Sequence, residues 1–338
     1  MLRPVSNGAA WRTSYVSLII MGLTFMFIVA SCGDDDNNIE VGELIPFDAK
    51  GIFTNSPNVK QMGETSLASN KRVVTLGNVQ AVSEGSIDLR QVAARLEIPR
   101  LNGGNRNLFV VHTVPTYGVN YCIEWNYDLR AQYWSAFRWD KSNTGKTVSR
   151  SDAWSTDPLI PSSYRTDNSD YNNIGYTRGH IVASEDRVIS LEANKQTFYY
   201  SNMQPQNGTF NAEKKSTWWH LENKILRDKY NTDGFRDTLY VVKGGTINPG
   251  NYGRASSGIP VPYYFFMAIL CKKNNNTTNG GYKAIGFWMK HIANTDTNYK
   301  NYAVSIDELE RNTGIDFFCN LPDDIETAVE RDLNTGLW

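Results

Sequence analysis

Tyr176-Thr-Arg-Gly-His-Ile-Val-Ala-Ser-Glu-Asp-Arg187, followed by Ser201-Asn-Met-Gln-Pro-Gln206 and Asn211, is the stretch that decides how this chain is read. It gathers an imidazole, two guanidiniums and amide side chains within a short span. Arg178 and His180 are two residues apart, so on an extended strand both side chains point to one face. Gly179 between them lets backbone or substrate approach closely. A neutral imidazole, with an ordinary pKa near 6.5, is suited to taking a proton from water at neutral pH. A guanidinium at Arg178 can grip phosphate oxygens with two parallel bonds, although pairing with Asp186 or Glu185 would be a purely structural use of it. Asn211 offers a neutral oxygen of the kind Mg²⁺ accepts, since that ion keeps several waters and needs few protein contacts. Together these groups have the chemistry for hydrolysing a phosphodiester.

Outward from this tract, the sequence suggests strands. Apolar runs at 108–114, 121–125 and 133–139 read as neighbouring antiparallel strands, and 239–242, 261–270 and 282–289 as further ones. The polar stretch 141–175, with Pro158 and Pro161, reads as a long loop, and loops of that length are usually functional. Helices are expected over 192–198 and 212–230, the second opened by Asn211. Ser305-Ile-Asp-Glu308 has capping-box spacing, with Gly314 placed to end that helix. Strands interrupted by helices, without regular βαβ alternation, indicate an α+β fold with a mostly antiparallel sheet.

The N-terminus reads as a targeting segment. Arg3 and Arg12 precede an apolar run, 16–30, that ends in Val29-Ala-Ser-Cys32. This resembles a bacterial lipoprotein signal, which implies removal of the preceding residues and lipidation of Cys32. The run Gly33-Asp-Asp-Asp-Asn-Asn38 resembles the acidic tags of surface-exported Gram-negative lipoproteins. The expected organisation is a signal peptide over 1–32, an acidic tether and weakly structured lead-in over 33–93, and the main domain over 94–338. A small separate β module within the lead-in is the alternative. An exported chain permits one disulfide among Cys122, Cys271 and Cys319 with an odd thiol left over, and none of these lies in a CxxC zinc pattern.

In 338 residues with 41% hydrophobic content there is enough for a substantial core, and a net charge of −1 means that any nucleic-acid contact relies on a local patch.

Arg178-Gly-His180, Asp186-Arg187, Asn202-Met-Gln-Pro-Gln206, Asn211 and Trp218-Trp-His-Leu-Glu222 together resemble the sugar-nonspecific DNA/RNA endonucleases of the ββα-metal (His-Me finger) superfamily, which includes endonuclease G. Arg150 with Trp154-Ser-Thr-Asp-Pro158, Ile259-Pro-Val-Pro262, Ser305-Ile-Asp-Glu-Leu-Glu310 and Leu321-Pro-Asp-Asp324 extend the likeness over about 94–332. The resemblance implies a ββα-metal finger with flanking helices. It implies His180 as general base, Asn211 as the direct protein ligand of Mg²⁺ (or Mn²⁺), Glu222 holding metal-bound waters, Asn202 orienting the site, and Arg178 and Arg150 on the phosphate. It further implies cleavage of DNA and RNA through the backbone, with 5′-phosphorylated products, and it leaves a homodimer open as an assembly.

Two departures stand out. The family usually has Asp before Arg-Gly-His, where this chain has Thr177, so anchoring has to come from elsewhere, with Asp186 as the candidate. There are also about three extra residues between Asn211 and Glu222. An unbroken helix would separate those two by about 16 Å along its axis. Glu222 returns to the site only if the extra residues loop out before Trp218; otherwise Glu213 or water replaces it, and Lys214 cannot serve. His112, His220 and His291 are read as structural, while aromatics near Tyr199-Tyr200 are candidates for stacking on bases.

The reading is therefore a lipid-anchored, Mg²⁺-dependent endonuclease at the outer membrane or surface of a Gram-negative cell. The alternative is a catalytically weak nucleic-acid-binding lipoprotein that uses Arg150 and Arg178 for capture. A surface glycan-binding protein, suggested by aromatic content alone, would require the motif to be accidental.

Overall fold

The computed structural model describes residues 55–63, 73–211, 216–296 and 298–338. The signal segment, Cys32, the acidic run, Glu213 and Lys214 lie outside them.

Helix α1 (Pro57–Met62) precedes strands β1 (Val74–Leu76) and β2 (Val79–Ser83), and α2 (Leu89–Ala93) leads to β3 (Gly104–Val114), β4 (Gly118–Asn126) and β5 (Ala131–Trp139). After the long loop, with α3 (Asn168–Tyr171) inside it, come β6 (Thr177–His180), α4 (Leu191–Gln196), β7 (Met203–Gln206), α5 (Gly208–Asn211) and α6 (Thr217–His220). Helix α6 runs directly into a π-helix, Leu221–Tyr230. The chain continues through β8 (Thr238–Gly245), β9 (Tyr252–Arg254), β10 (Pro260–Pro262), β11 (Tyr264–Lys272), β12 (Tyr282–Lys290), β13 (Ala303–Val304), α7 (Ile306–Thr313) and α8 (Asp323–Arg331).

Nine strands form one sheet in the order β1-β2-β3-β4-β5-β8-β11-β12-β13, antiparallel at every pairing except β2 with β3. The α+β class expected from the sequence is the one observed. Strand alternation sends apolar side chains to both faces. On β11, Phe265, Met267 and Ile269 join one core, together with Phe210, Trp218 and Leu221. Phe266, Ala268 and Leu270 join the other, with Ile306, Leu309 and Val329. The sheet thus separates a layer built around β6, β7 and the π-helix from a layer built from α2, α7 and α8.

Four expectations need correction. The weakly structured lead-in does not hold for its described part: residues 74–83 are two strands of the main sheet, and Val79, Ala81, Val82 and Leu89 are buried in it. The strand expected over 261–270 is two strands broken at Tyr263, where the chain leaves its pairing with β9 and joins β8 and β12 in the main sheet. All three cysteines are free and buried, with Cys122 and Cys271 in cores on opposite faces of the sheet, so no disulfide joins them. Tyr200 is buried against Tyr171 and Trp154 and so is not available to bases, while Tyr199, partly buried, packs on His112. The N-cap half of the expected box forms, with Ser305 accepting from the Glu308 N–H at 3.1 Å, and Gly314 closes α7 at φ 73°.

His112 carries a structural load. It lies fully buried on β3, with its Nε2 3.1 Å from an Asp157 oxygen of the long loop, and Ser201 donates to the same carboxylate. Burial alone would push this imidazole down, but Asp157 and then Glu84 outweigh it and raise its pKa to about 9. Burial likewise opposes the Asp157 charge, and His112 overcomes it and holds that carboxyl below its usual range. The imidazole's contribution to stability is complete below its unfolded value and fades as pH rises towards 9; the carboxylate's is lost only in acid. His112→Ala leaves a buried carboxylate unpaired, so we expect a loss of about 3–5 kcal/mol near pH 6. In urea unfolding the gap to wild type should narrow above pH 9; an equal gap at both pH values would rule the ion pair out as its source.

Candidate active site

Strands β6 and β7 form a two-stranded antiparallel ribbon in which Arg178 faces Pro205 and His180 faces Met203. Gly179 is required there, since a Cβ would lie 2.1 Å from Gln206 Cδ, a side chain that crosses the strand and is itself buried. Gln204 fixes the ribbon to the main sheet by accepting from the Gly245 N–H at 2.6 Å and donating to Gln132 and Gly245 carbonyls at 3.2 Å.

A cleft of about 610 Å³ opens beside this ribbon, lined by Arg150, Trp154, Thr177, Arg178, His180, Asn211, Trp219, Glu222 and Arg227 among others. Five of the six residues singled out from the sequence therefore meet in one cavity. The sixth, Asn202, does not line it. Asn202 is fully buried behind the ribbon, accepts from the Val182 N–H at 2.9 Å, and donates to the Val182 and Thr197 carbonyls at 2.9 and 2.8 Å. It pins the backbone two residues beyond His180, which is a way of orienting the site from outside it.

His180 is half-buried, edge-on to Trp154 and Phe198 with ring centroids 5.3 and 4.9 Å away. Its Nε2 is buried without a hydrogen-bond partner. Desolvation first, then the charges of Arg150, Lys243 and Arg178, disfavour the imidazolium and push its pKa down to about 3. The ring is consequently neutral at any physiological pH. Arg178 lies over the Trp154 ring at 4.1 Å and donates to Asn168 at 3.1 Å. The structural use weighed for it is not seen: Asp186 pairs with Arg227 at 2.6 Å and Glu185 with Lys146 at 3.3 Å. Arg150 stands over Phe198 at 4.6 Å, and its Nε donates to Asp152 at 2.8 Å.

Asn211 ends α5 instead of opening the long helix. Residue Ser216 starts that helix afresh: its hydroxyl donates to the Phe210 carbonyl at 2.7 Å and caps the Trp219 N–H. The helix beyond then loosens into π geometry, with the Asn231 N–H reaching back five residues to Leu226. Glu222 and Arg227, five apart, come to the same cleft. The unbroken-helix separation thus does not apply, and Glu222 lines the cavity.

Thr177, not Asp186, anchors Asn211. Its hydroxyl accepts from the Asn211 amide nitrogen at 2.9 Å and donates to the Gln206 carbonyl at 2.9 Å. This commits the amide nitrogen and leaves the Asn211 carbonyl oxygen without a protein partner among the described residues. His291, read as structural, holds the turn just before α5: its Nδ1 donates to Pro262 and its Nε2 accepts from the Asn207 N–H at 2.7 Å.

Lys243 was not anticipated. It sits fully buried on β8 and binds the Glu222 carboxylate. Burial still holds that carboxyl above its ordinary value. A lone lysine inside Leu239-Tyr-Val-Val-Lys-Gly-Gly245 was the available clue, since a lysine in the middle of a central apolar strand is rarely buried without a partner. Trp154 was noted as a landmark only, yet it supports both Arg178 and His180.

The profile of the DNA/RNA non-specific endonuclease family matches residues 108–324, which include every group described above. The chain belongs to this family. It is 29% identical over 216 residues to a nuclease of Nostoc sp., covering 62% of this chain and 75% of the relative. Nuclease C1 of Cunninghamella echinulata is 30% identical over 218 residues, covering 60% of this chain and 81% of the relative. The crystal structure of the EndoG/EndoGI complex shares the fold, with a TM-score of 0.51 and 22% identity over 60% of this chain and 84% of that one. This endonuclease is accordingly a metal-dependent phosphodiester hydrolase, with the ββα-metal fold expected from its sequence.

Donor chemistry at the cleft suits a hard divalent cation: one uncommitted amide oxygen, one carboxylate already shared with an ammonium, and space for water.

Proposed function

We propose that the protein is a Mg²⁺-dependent, sequence-nonspecific endonuclease of DNA and RNA in which His180 is the general base. The observation that carries this reading is the convergence of the His180 imidazole, the Asn211 amide oxygen and two arginines on one cavity. Asn211, through its amide oxygen, and Glu222, whose carboxylate Lys243 fixes, would hold the cation and its water, and the bound cation would supply positive charge to offset the charge that develops on the phosphate. Arg178 and Arg150 grip the non-bridging oxygens and orient the phosphorus. His180 takes a proton from a water as that water bonds to phosphorus; the bond to the 3′ oxygen breaks, and the oxygen takes a proton from solvent. A 5′-phosphate and a 3′-hydroxyl result. Contacts confined to the backbone explain indifference to sequence.

We further propose that Cys32 carries a lipid and holds the enzyme at the envelope, where it meets nucleic acid outside the cytoplasm. The lipoprotein-like segment ending at Cys32 supports this.

Supercoiled plasmid and single-stranded RNA should both be degraded with Mg²⁺ or Mn²⁺ and left intact with EDTA, and the fragments should carry 5′-phosphates. Retained DNA binding with no cleavage under either metal would instead favour the capture function.

A further inference from the structure

On the far face of the sheet from the cleft, α7 and α8 bring together three carboxylates: Asp307, Glu310 and Glu330. One oxygen from each lies within 4.8 Å of the other two, the only such group of His, Cys, Asp or Glu among the described residues. Acidic clusters are common and usually mean little, because exposed carboxylates are simply hydrated. Glu330 is different. Its residue is only 7% exposed, and its Oε1 is buried with no hydrogen-bond partner. A buried, unpartnered carboxyl beside two other carboxylates cannot stay ionised by itself, so the group must hold either a proton or a cation.

We infer that Asp307, Glu310 and Glu330 form a second divalent-cation site, suited to Ca²⁺, that clamps α7 to α8. All three donors are oxygens, as a hard cation requires. Ca²⁺ accepts oxygens at about 2.3–2.6 Å in irregular geometry and fills its remaining positions with water, which suits three carboxylates offered by two separate helices; Mg²⁺ demands near-octahedral geometry and is less tolerant of such a set. Glu310 already spends one oxygen accepting the Phe317 N–H at 2.8 Å, which fixes its carboxylate in position. The environment agrees with the geometry. Burial, then the charges of Glu310, Glu326, Asp316 and Asp307, push the Glu330 carboxyl up to about 10, and Glu310 is raised to about 7 chiefly by burial. A cation would reverse both shifts. Both helices pack into the apolar core on this face through Ile306, Leu309 and Val329, so the clamp bears on stability and leaves the chemistry alone.

Thermal unfolding in CaCl₂ and in EDTA tests this with three proteins. Wild type should melt several degrees higher in Ca²⁺, by linkage, and gain less from Mg²⁺. Glu330→Gln, an isostere that removes the uncompensated charge, should fold, melt in EDTA at or above the wild-type temperature, cleave DNA as wild type does, and lose the Ca²⁺ shift. Asn211→Ala, altered in the cleft, should retain that shift. No Ca²⁺ shift in wild type, an undiminished shift in Glu330→Gln, or a shift lost in Asn211→Ala would each overturn the proposal. An equal shift from Mg²⁺ would overturn the assignment to Ca²⁺.

Discussion

His180→Ala is expected to lower plasmid cleavage by about two to four orders of magnitude, the usual worth of a positioned general base. The size follows from the position of the ring. Its edge contacts to Trp154 and Phe198 fix its orientation, and the ring lines the cleft beside Arg178 and Asn211. Because enclosure and three neighbouring cations hold its pKa near 3, His180 does not become protonated between pH 5 and 8. The acid limb of the wild-type rate should therefore show no inflection near 6.5. A half-buried ring can also matter for packing, so circular dichroism melts of the variant should accompany the assay. A well-folded His180→Ala protein that cleaves within tenfold of wild type would place the base elsewhere.

Asn211→Ala should be about as damaging, by about 10²-fold or more, since it removes the one uncommitted oxygen offered to the cation. Its signature differs from that of the histidine variant. Loss of a ligand raises the Mg²⁺ concentration needed for half-maximal rate, whereas loss of the base lowers the rate at saturating metal. Asn211→Asp keeps an oxygen at the same place and should recover part of the activity. Metal titrations that overlay for wild type and Asn211→Ala would remove Asn211 from the cation.

Local pattern made the fold largely readable. Long, nearly continuous apolar runs such as 108–114 and 282–289 bury both faces in the main sheet, and their composition says so without tertiary information. Strands β1 and β2 were hidden for the opposite reason: they are short, set among Gly, Ser and Asn, and gain their order by pairing with β3, a neighbour the local pattern does not reveal. Motif spacing likewise located Arg178, His180 and Asn211, because each sits on or beside a ribbon whose geometry is local. The route of Glu222 into the cleft was not local. It depends on the Ser216 cap and on the π-helix, a backbone state with no simple sequence marker. Lys243 reaches Glu222 from a strand 21 residues away in sequence, and only the assembled sheet puts them together. Thr177 looked like the loss of an anchor because its missing charge was counted and its hydroxyl was not followed to Asn211.

Trp154 offers one indole to two tasks, a face for the Arg178 guanidinium at 4.1 Å and an edge for His180. On the roles proposed for Arg178 and His180, substrate grip and proton acceptance would thereby be mechanically joined. A variant at this ring disturbs both at once, so its effect will not add to that of either neighbour in a double-mutant cycle.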